Sequence, residues 1–85
     1  MSPVKRAEAI KRIRTAARSG TLRFREHAED EMISDLETHQ SVAWVLAHAK
    51  IFVLQDNGLF RVSGDELTVV VKVMDHAVIV WTVFV

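Results

Sequence analysis

The chain has 85 residues, 49% of them hydrophobic, with no cysteine and equal numbers of basic and acidic side chains. This length suits one domain, predicted to span residues 1–85, and the hydrophobic content excludes a disordered chain. The lack of cysteine excludes disulfides and thiolate metal sites, and no apolar run is long enough for a membrane helix, so we expect a cytoplasmic protein.

The zero net charge conceals an uneven distribution of charge along the chain. Residues 1–25 carry eight basic side chains against a single acid, Glu8, whereas residues 26–85 carry three basic side chains against ten acids. A basic segment of this kind indicates an anionic partner. The alternative is a basic first helix that lies against an acidic second helix.

The first 25 residues predict a helix followed by a short extended segment. Ser2 and Pro3 are typical of a helix start, and Ser19 with Gly20 is typical of a stop. Apolar residues recur between them at helical spacing, at Val4, Ala7, Ile10, Ile13 and Ala17. Residues 22–25 then alternate apolar and charged side chains, a pattern that favours an extended segment with both of its arginines on one side.

Two more helices are predicted before the chain changes character. The first runs from residue 26 to about residue 33, with its acids near the N-terminal end, where the helix dipole favours them. Thr38 is a suitable N-cap for the next helix. The apolar stripe of that helix consists of Val42, Val45, Leu46 and Ala49, with Trp44 at its edge.

The last third of the sequence predicts four β-strands, at residues 51–54, 59–63, 67–74 and 77–85. These segments are rich in valine, isoleucine and aromatic residues, which favour strands. Turn-forming residues separate them, namely Asp56-Asn57-Gly58, Gly64-Asp65 and Asp75-His76. Helices followed by consecutive strands indicate an α+β domain, with two to three N-terminal helices packed on an antiparallel sheet of about four strands.

The last two strands predict a sheet with two apolar faces. With a hairpin loop of two or four residues, the core face carries Leu67, Val69, Val71, Val73, Val78, Val80, Thr82 and Phe84. The opposite face carries Thr68, Val70, Lys72, Met74, Ala77, Ile79, Trp81 and Val83. An apolar face of this extent indicates an interface, so Ile79, Trp81 and Val83 are candidate contacts with a second copy or a partner chain. A three-residue loop would invert this assignment.

Residues 23–32, RFREHAEDEM, contain the candidate catalytic groups. His27 and Glu31 are four residues apart and therefore lie on one face of a helix. His27 is a candidate general acid, with Glu31 orienting it or acting as a base. Arg23 and Arg25 precede this pair and offer guanidinium groups for a phosphate, as phosphodiester cleavage requires. The alternative is that His27 only caps or packs against the start of the helix.

Arg61 and Lys72 are the only basic residues after residue 50, and both lie within predicted strands. They are candidates for binding a phosphate or an acidic partner. Alternatively, their aliphatic stems cover apolar neighbours while the charges reach the sheet edge. The four histidines, His27, His39, His48 and His76, lack the spacing of a metal site, so neither a metal nor a cofactor is expected.

The stretches F-R-E-H-A-E-D-E-M, G-L-F-R-V, L-T-V-V-V-K-V and A-V-I-V-W-T-V resemble a family of small bacterial domains with the signature H-A-x-x-R-M. That family is similar to the BrnT and RelE toxins of toxin–antitoxin modules, in which helices pack on a small antiparallel sheet. The resemblance covers about residues 6–85. Its specific part consists of His27-Ala28, Met32 and the closing strand.

The resemblance implies a metal-independent ribonuclease toxin that cuts messenger RNA, often at the ribosome, and is neutralised by a protein antitoxin. His27 matches the motif histidine, whereas the motif arginine falls on Glu31, whose carboxylate would repel a phosphate. Either Arg23, Arg25 or Arg61 supplies the missing guanidinium, or the chain is a non-catalytic binding module that docks a partner through its apolar sheet face. The predicted catalytic residues are His27, Glu31 and Arg61, and the predicted RNA-binding residues are Arg12, Arg23, Arg25 and Lys72.

Overall fold

The computed structural model describes residues 5–85, which form three helices and one five-stranded sheet. The elements are α1 (Arg6–Ser19), β1 (Arg23–Phe24), α2 (Glu26–Ser34), α3 (His39–His48), β2 (Ile51–Leu54), β3 (Phe60–Ser63), β4 (Thr68–Val73) and β5 (Val78–Phe84). The strand order is β1-β5-β4-β3-β2, and β1 runs parallel to β5 while the other neighbours are antiparallel.

The predicted α+β class is confirmed, and the predicted sheet is corrected in one detail. The extended segment before α2 pairs with the edge of β5, with Arg23 opposite Ile79 and Phe24 opposite Val80. This pairing adds a fifth, parallel strand to the four antiparallel strands that the sequence predicts. Alternation over so few residues does not reveal which strand the segment will join.

Helix α1 packs against α3 and the sheet through small side chains. Its buried residues are Ala9, Ile13, Ala16 and Ala17. Of the predicted stripe, Ala7 is exposed and Ile10 is only half-buried. The buried face of the helix is centred on Ile13 and includes Ala9 and Ala16, which were not part of that stripe. The helix ends as predicted at Gly20, which adopts φ 71° and donates its N–H to Ala16 O. The predicted start at Ser2 and Pro3, and Val4 of the stripe, lie outside the described residues.

Helix α3 begins at the predicted cap. The Thr38 hydroxyl accepts the N–H of Ser41 at 3.0 Å, and the Ser41 hydroxyl accepts the N–H of Thr38 at 3.0 Å, which is a capping box. The buried residues of the helix are Val42, Val45, Leu46 and Ala47, followed by Ala49. They pack against the inner face of the sheet, where Val62, Val69, Val71, Val80 and Val83 are fully buried.

A bulge in β5 changes which side chains share a face. Val70 pairs with Thr82 and Val71 with Val80, so Trp81 is an extra residue without a partner on β4. One inserted residue inverts the alternation of every side chain that follows it. The predicted assignment of side chains to the two faces is therefore correct up to Trp81 and wrong for the residues of β5 that follow it.

Val83 is the residue for which this correction matters most. It was predicted on the face available to a partner, but it lies in the core with 0% exposure. Thr82 and Phe84 lie on the opposite face instead. We call this face, turned away from α1 and α3, the outer face of the sheet. Its residues are Arg23, Ile51, Val53, Arg61, Ser63, Thr68, Val70, Lys72, Ile79, Trp81, Thr82 and Phe84.

Candidate nucleic-acid interface

Cations lie over aromatic rings on the outer face of the sheet. The Cζ of Arg25 is 4.0 Å from the centroid of the Trp81 ring, and the Nζ of Lys72 is 5.3 Å from the same ring. The Cζ of Arg61 is 5.7 Å from the centroid of the Phe84 ring. These distances are within the range of cation–π attraction. The two aromatic side chains and three cations therefore form two cation–ring groups on the same face of the sheet.

The backbone of β5 positions Arg25 over Trp81. Arg25 continues the pairing of β1 by one residue, because its N–H donates to Val80 O at 3.2 Å. Its Nε then donates to Trp81 O, which holds the guanidinium against the bulged residue. The bulge thus exposes Trp81 on the outer face, and Arg25, the N-cap residue before α2, places a charge on its ring.

Arg23 completes the set of predicted RNA-binding cations on this face. It lies in register with Ile79, which pairs on its other side with Lys72, so these three residues form one row across the sheet. Arg23 and Arg25 are on the same side of the sheet, as their alternation predicted. In the part of the chain that the structure describes, none of the five strands contains an acidic residue. The outer face is therefore cationic and aromatic.

Glu31 joins α2 to the edge of β5. Its Oε1 accepts the N–H of Val83 at 3.1 Å, and its Oε2 lies 3.5 Å from the Nε2 of His27. Val83 lies beyond the end of β1, so the carboxylate takes the place of a strand partner for this N–H. The side chain of Glu31 is 26% exposed and that of His27 is 60% exposed. Glu31 therefore lies beside the imidazole of His27, which remains open to solvent.

Two of the three predicted catalytic residues, His27 and Glu31, lie together beside the end of β5. Glu31 binds the backbone of Val83, His27 lies beside Glu31, and the next residue of the strand, Phe84, lies under Arg61. His27 and Glu31 come from α2, whereas Arg61 comes from β3, which is separated from β5 by β4. The structure therefore brings His27 to Glu31, whereas Arg61 reaches the end of β5 only at the ring of Phe84.

Arg12, the remaining predicted RNA-binding residue, lies elsewhere. Its Nη1 donates to Met74 O at 3.0 Å and its Nη2 to Asp75 O at 2.7 Å, at the loop between β4 and β5. Its Nε is 3.9 Å from a carboxylate oxygen of Glu8 in the same helix. Arg12 therefore binds the β4–β5 loop and is not part of the outer face.

Two other arginines of α1 also bind backbone carbonyls of this chain. Arg6 Nη2 donates to Phe52 O at 2.7 Å. Arg14 donates to Ala47 O and Ala49 O, both at 2.8 Å. The basic charge of the first helix, which suggested an anionic partner or contact with α2, is in large part used to hold α1 to α3 and the sheet. Contacts with distant carbonyls leave no local pattern, so sequence reasoning missed them.

A second imidazole–carboxylate pair was also missed. The Nε2 of His39 lies 2.8 Å from Glu29 Oε1, and the ring of His39 stacks on Phe24 with centroids 4.2 Å apart. The groove beside this pair, of about 470 Å³, is lined by Glu29, Met32, Ile33, Glu37, Thr38, His39 and Gln40. None of these lining residues is a lysine or an arginine. The pair joins α2 to α3, and it lacks the cations that a phosphate site needs.

The described residues contain neither a cluster of metal ligands nor a membrane-spanning helix. Among residues 5–85, no three histidine, aspartate or glutamate side chains come close enough together to hold a metal ion. Within the same residues, no helix combines the length and the hydrophobicity needed to span a bilayer.

Comparison of the chain with protein-family models, curated proteins and solved structures gave no match. Its function is therefore inferred from the geometry of the outer face and the end of β5.

Proposed function

We propose that the protein is the ribonuclease toxin of a bacterial toxin–antitoxin module and that it binds RNA on the outer face of the sheet. The observation that carries this proposal is the grouping of Arg25 and Lys72 over Trp81 with Arg61 over Phe84. Lysine and arginine neutralise phosphates, and aromatic rings stack on bases.

Single-stranded RNA is the nucleic acid that this surface suits best. A sheet that displays aromatic side chains binds unpaired bases by stacking, whereas duplex RNA is recognised mainly through its sugars and phosphates. Trp81 and Phe84 supply two stacking platforms on one strand. The lack of acids in the described strands removes repulsion along the path of the RNA backbone.

Cleavage is assigned to the end of β5. The 2′-oxygen of a ribose attacks the adjacent phosphorus, and the bond from phosphorus to the 5′-oxygen of the next nucleotide breaks. His27 donates a proton to that leaving oxygen, Arg61 neutralises the phosphate and Glu31 orients the imidazole. The 2′-hydroxyl proton passes to solvent. The products are a 2′,3′-cyclic phosphate and a 5′-hydroxyl, and no metal takes part.

The proposal includes a protein antitoxin and the cytoplasm as the place of action. An antitoxin segment with acidic and apolar side chains complements the cations and rings of the outer face, and it would exclude RNA from the same surface. The substrate would be messenger RNA, free or on the ribosome.

The test measures binding and cleavage separately. Binding of a fluorescent single-stranded RNA of about 16 nucleotides, the upper site size of one small binding domain, is followed by anisotropy. Lys72→Glu should weaken binding at least about tenfold, and the matched control Lys11→Glu, which changes an exposed lysine of α1, should not. His27→Ala should abolish cleavage and leave binding intact. Equal loss of binding in both lysine variants would contradict the assignment to the outer face.

A second candidate, a non-catalytic binding module, is favoured by one observation. Glu31 occupies the position of the motif arginine, and its carboxylate already binds the N–H of Val83 at 3.1 Å. In this case the outer face, including Ile79 and Trp81, docks a protein partner or a second copy. The same experiment separates the two candidates, because the module gives no cleavage with the unmodified protein at any concentration.

A further inference from the structure

The two edges of the sheet differ in how far other parts of the chain cover their backbone groups. At the β5 edge, β1 pairs with the first half of the strand, and Arg25 and Glu31 bind the backbone of the second half. At the β2 edge, no strand within residues 5–85 pairs with the outer side of β2. Natural proteins usually protect an edge strand with charged residues or a covering element. The sequence of β2, IFVL, contains no charge.

The hydrogen-bond pattern identifies the backbone groups that lie at this edge. The N–H of Gln55 donates to Leu59 O at 2.8 Å, so the alternation of an antiparallel pair directs the backbone groups of Phe52 and Leu54 away from β3. Arg6 donates to the carbonyl of Phe52, as this orientation requires. A carbonyl oxygen accepts two hydrogen bonds, so one site remains. Ile51, Val53 and Leu54 are 59%, 49% and 53% exposed.

We propose that β2 pairs antiparallel with β2 of a second copy of the chain, about a two-fold axis at Val53. In this register Phe52 of each copy lies opposite Leu54 of the other, and their outward N–H and C=O groups form reciprocal hydrogen bonds. The side chains of the two Val53 residues lie next to each other on the outer face. A second copy fits because an isologous interface needs a self-complementary surface.

Charge complementarity selects this register. Antiparallel pairing about Val53 places Lys50 of each copy opposite Asp56 of the other, which gives two symmetric pairs of opposite charges. Both side chains are exposed. Pairing about Phe52 would instead place Lys50 opposite Leu54, and each ammonium would lie against an apolar side chain. Lys50 and Asp56, which flank the apolar strand at its two ends, thus direct the pairing.

The pairing joins two outer faces into one surface. A two-fold axis through the middle of paired edge strands is perpendicular to the sheet, so the same face of both copies points the same way. The cations and rings around Trp81 then occur twice on one continuous sheet. An RNA strand that leaves one copy meets the same chemistry on the next. This consequence rests on the proposed function, whereas the pairing itself does not.

A cysteine at position 53 tests the axis directly, since the chain has no cysteine of its own. Val53 faces its own mate in a non-hydrogen-bonded pair, with Cα atoms about 4.5 Å apart, within the range of a disulfide. Val53→Cys should therefore form a disulfide-linked dimer on mild oxidation. The matched control is Ile51→Cys, at a residue of comparable exposure. In the proposed dimer the two position-51 residues lie about 13 Å apart along the strands, so this variant should stay monomeric on a non-reducing gel.

A charge exchange tests the register. Lys50→Asp and Asp56→Lys should each weaken dimerisation at least about tenfold in sedimentation equilibrium, and the double variant should restore it. Any one of three results overturns the proposal. They are equal crosslinking at positions 51 and 53, a folded protein that stays monomeric at its highest soluble concentration, and pairing of β2 with an added peptide instead of a second copy. None of these measurements involves RNA, so failure of the dimer is distinguishable from failure of the proposed function.

Discussion

The carboxylate of Glu31 and the N–H of Val83 meet at 3.1 Å across 52 residues of sequence, where α2 lies against β5. The fully buried Val83 side chain anchors the strand in the core while its backbone N–H faces the edge. A carboxylate that accepts a backbone N–H in a half-buried place gives a hydrogen bond stronger than one between neutral groups. Glu31 is thus a structural residue as well as the neighbour of His27.

Replacement of Glu31 should therefore lower stability in a graded way. Glu31→Ala leaves the N–H of Val83 without a partner and should lower the free energy of unfolding by about 1–2 kcal/mol. Glu31→Gln keeps an acceptor oxygen and should retain most of that stability. Urea unfolding followed by the fluorescence of the tryptophans measures both. Equal losses for Gln and Ala would contradict a hydrogen-bonding role.

Glu31→Arg, which introduces the arginine of the H-A-x-x-R-M signature, is expected to lower the stability of the protein. A guanidinium has no acceptor for the N–H of Val83 and cannot replace the carboxylate. The loss of unfolding free energy should equal or exceed that of Glu31→Ala. If this variant is more stable, or cleaves RNA faster at equal stability, then Glu31 is not adapted to the edge of β5.

Arg12 should affect stability and not RNA binding. Its guanidinium donates to Met74 O and Asp75 O, so Arg12→Met removes two hydrogen bonds and should lower the free energy of unfolding by about 1–2 kcal/mol. The neighbouring exposed residue offers a matched control, and Lys11→Met should change stability by less than about 0.5 kcal/mol. RNA anisotropy should be the same for Arg12→Met as for this control. If Arg12→Met lost RNA affinity and Lys11→Met did not, Arg12 would be part of the RNA-binding surface.

Leu36 offers a way to stabilise the fold. It has φ 58° and a side chain that is 90% exposed, so it adopts the left-handed conformation without packing to offset the strain. Asparagine tolerates this conformation far better than leucine. Leu36→Asn should raise the free energy of unfolding by about 0.5–1 kcal/mol. The exposed Ile33 of α2, replaced by asparagine, is a control for the lost apolar surface and should not stabilise the protein.

The sequence predicted the elements of this fold well because local physics determines them. The Thr38 cap, the Gly20 stop and the turn at Asp75-His76 all depend on side chains within a few residues of one another. The strand residues 51–54 agree with the observed β2 for the same reason. Each of these features was confirmed.

Features that depend on distant groups were missed or mistaken. A single unpaired residue, Trp81, exchanged the positions of Val83 and Phe84 between core and surface, and no local signal announces a bulge. Arg12 and Arg14 bind backbone carbonyls that are remote in sequence, so these charges of α1 stabilise the fold and are not free to bind an anionic partner. By contrast, the outer-face cations were identified as candidates. Arg61 and Lys72 were chosen because charges in strands are unusual, and Arg23 and Arg25 because they precede His27 on an extended segment.

The two tryptophans provide the most direct test of the outer face. Trp81 lies between Arg25 and Lys72, whereas Trp44 is 62% exposed on α3, on the opposite side of the sheet, and stacks on His48 with centroids 4.3 Å apart. Since one stacked base contributes about 1–3 kcal/mol, Trp81→Ala should weaken binding of single-stranded RNA by about 10–100-fold.

Trp44→Ala should leave that affinity unchanged, although Trp44 is the more exposed ring. The logarithm of the binding constant should fall with the logarithm of salt concentration with a slope of about −2 to −3, as expected for three or four phosphate contacts to a single strand. Lys72→Gln should reduce this slope by a little under one unit, whereas Trp81→Ala should preserve it, because stacking releases no counterions. A larger effect of Trp44→Ala would place the RNA on α3, and an unchanged affinity of Trp81→Ala would make the binding purely electrostatic; both results would contradict the proposal.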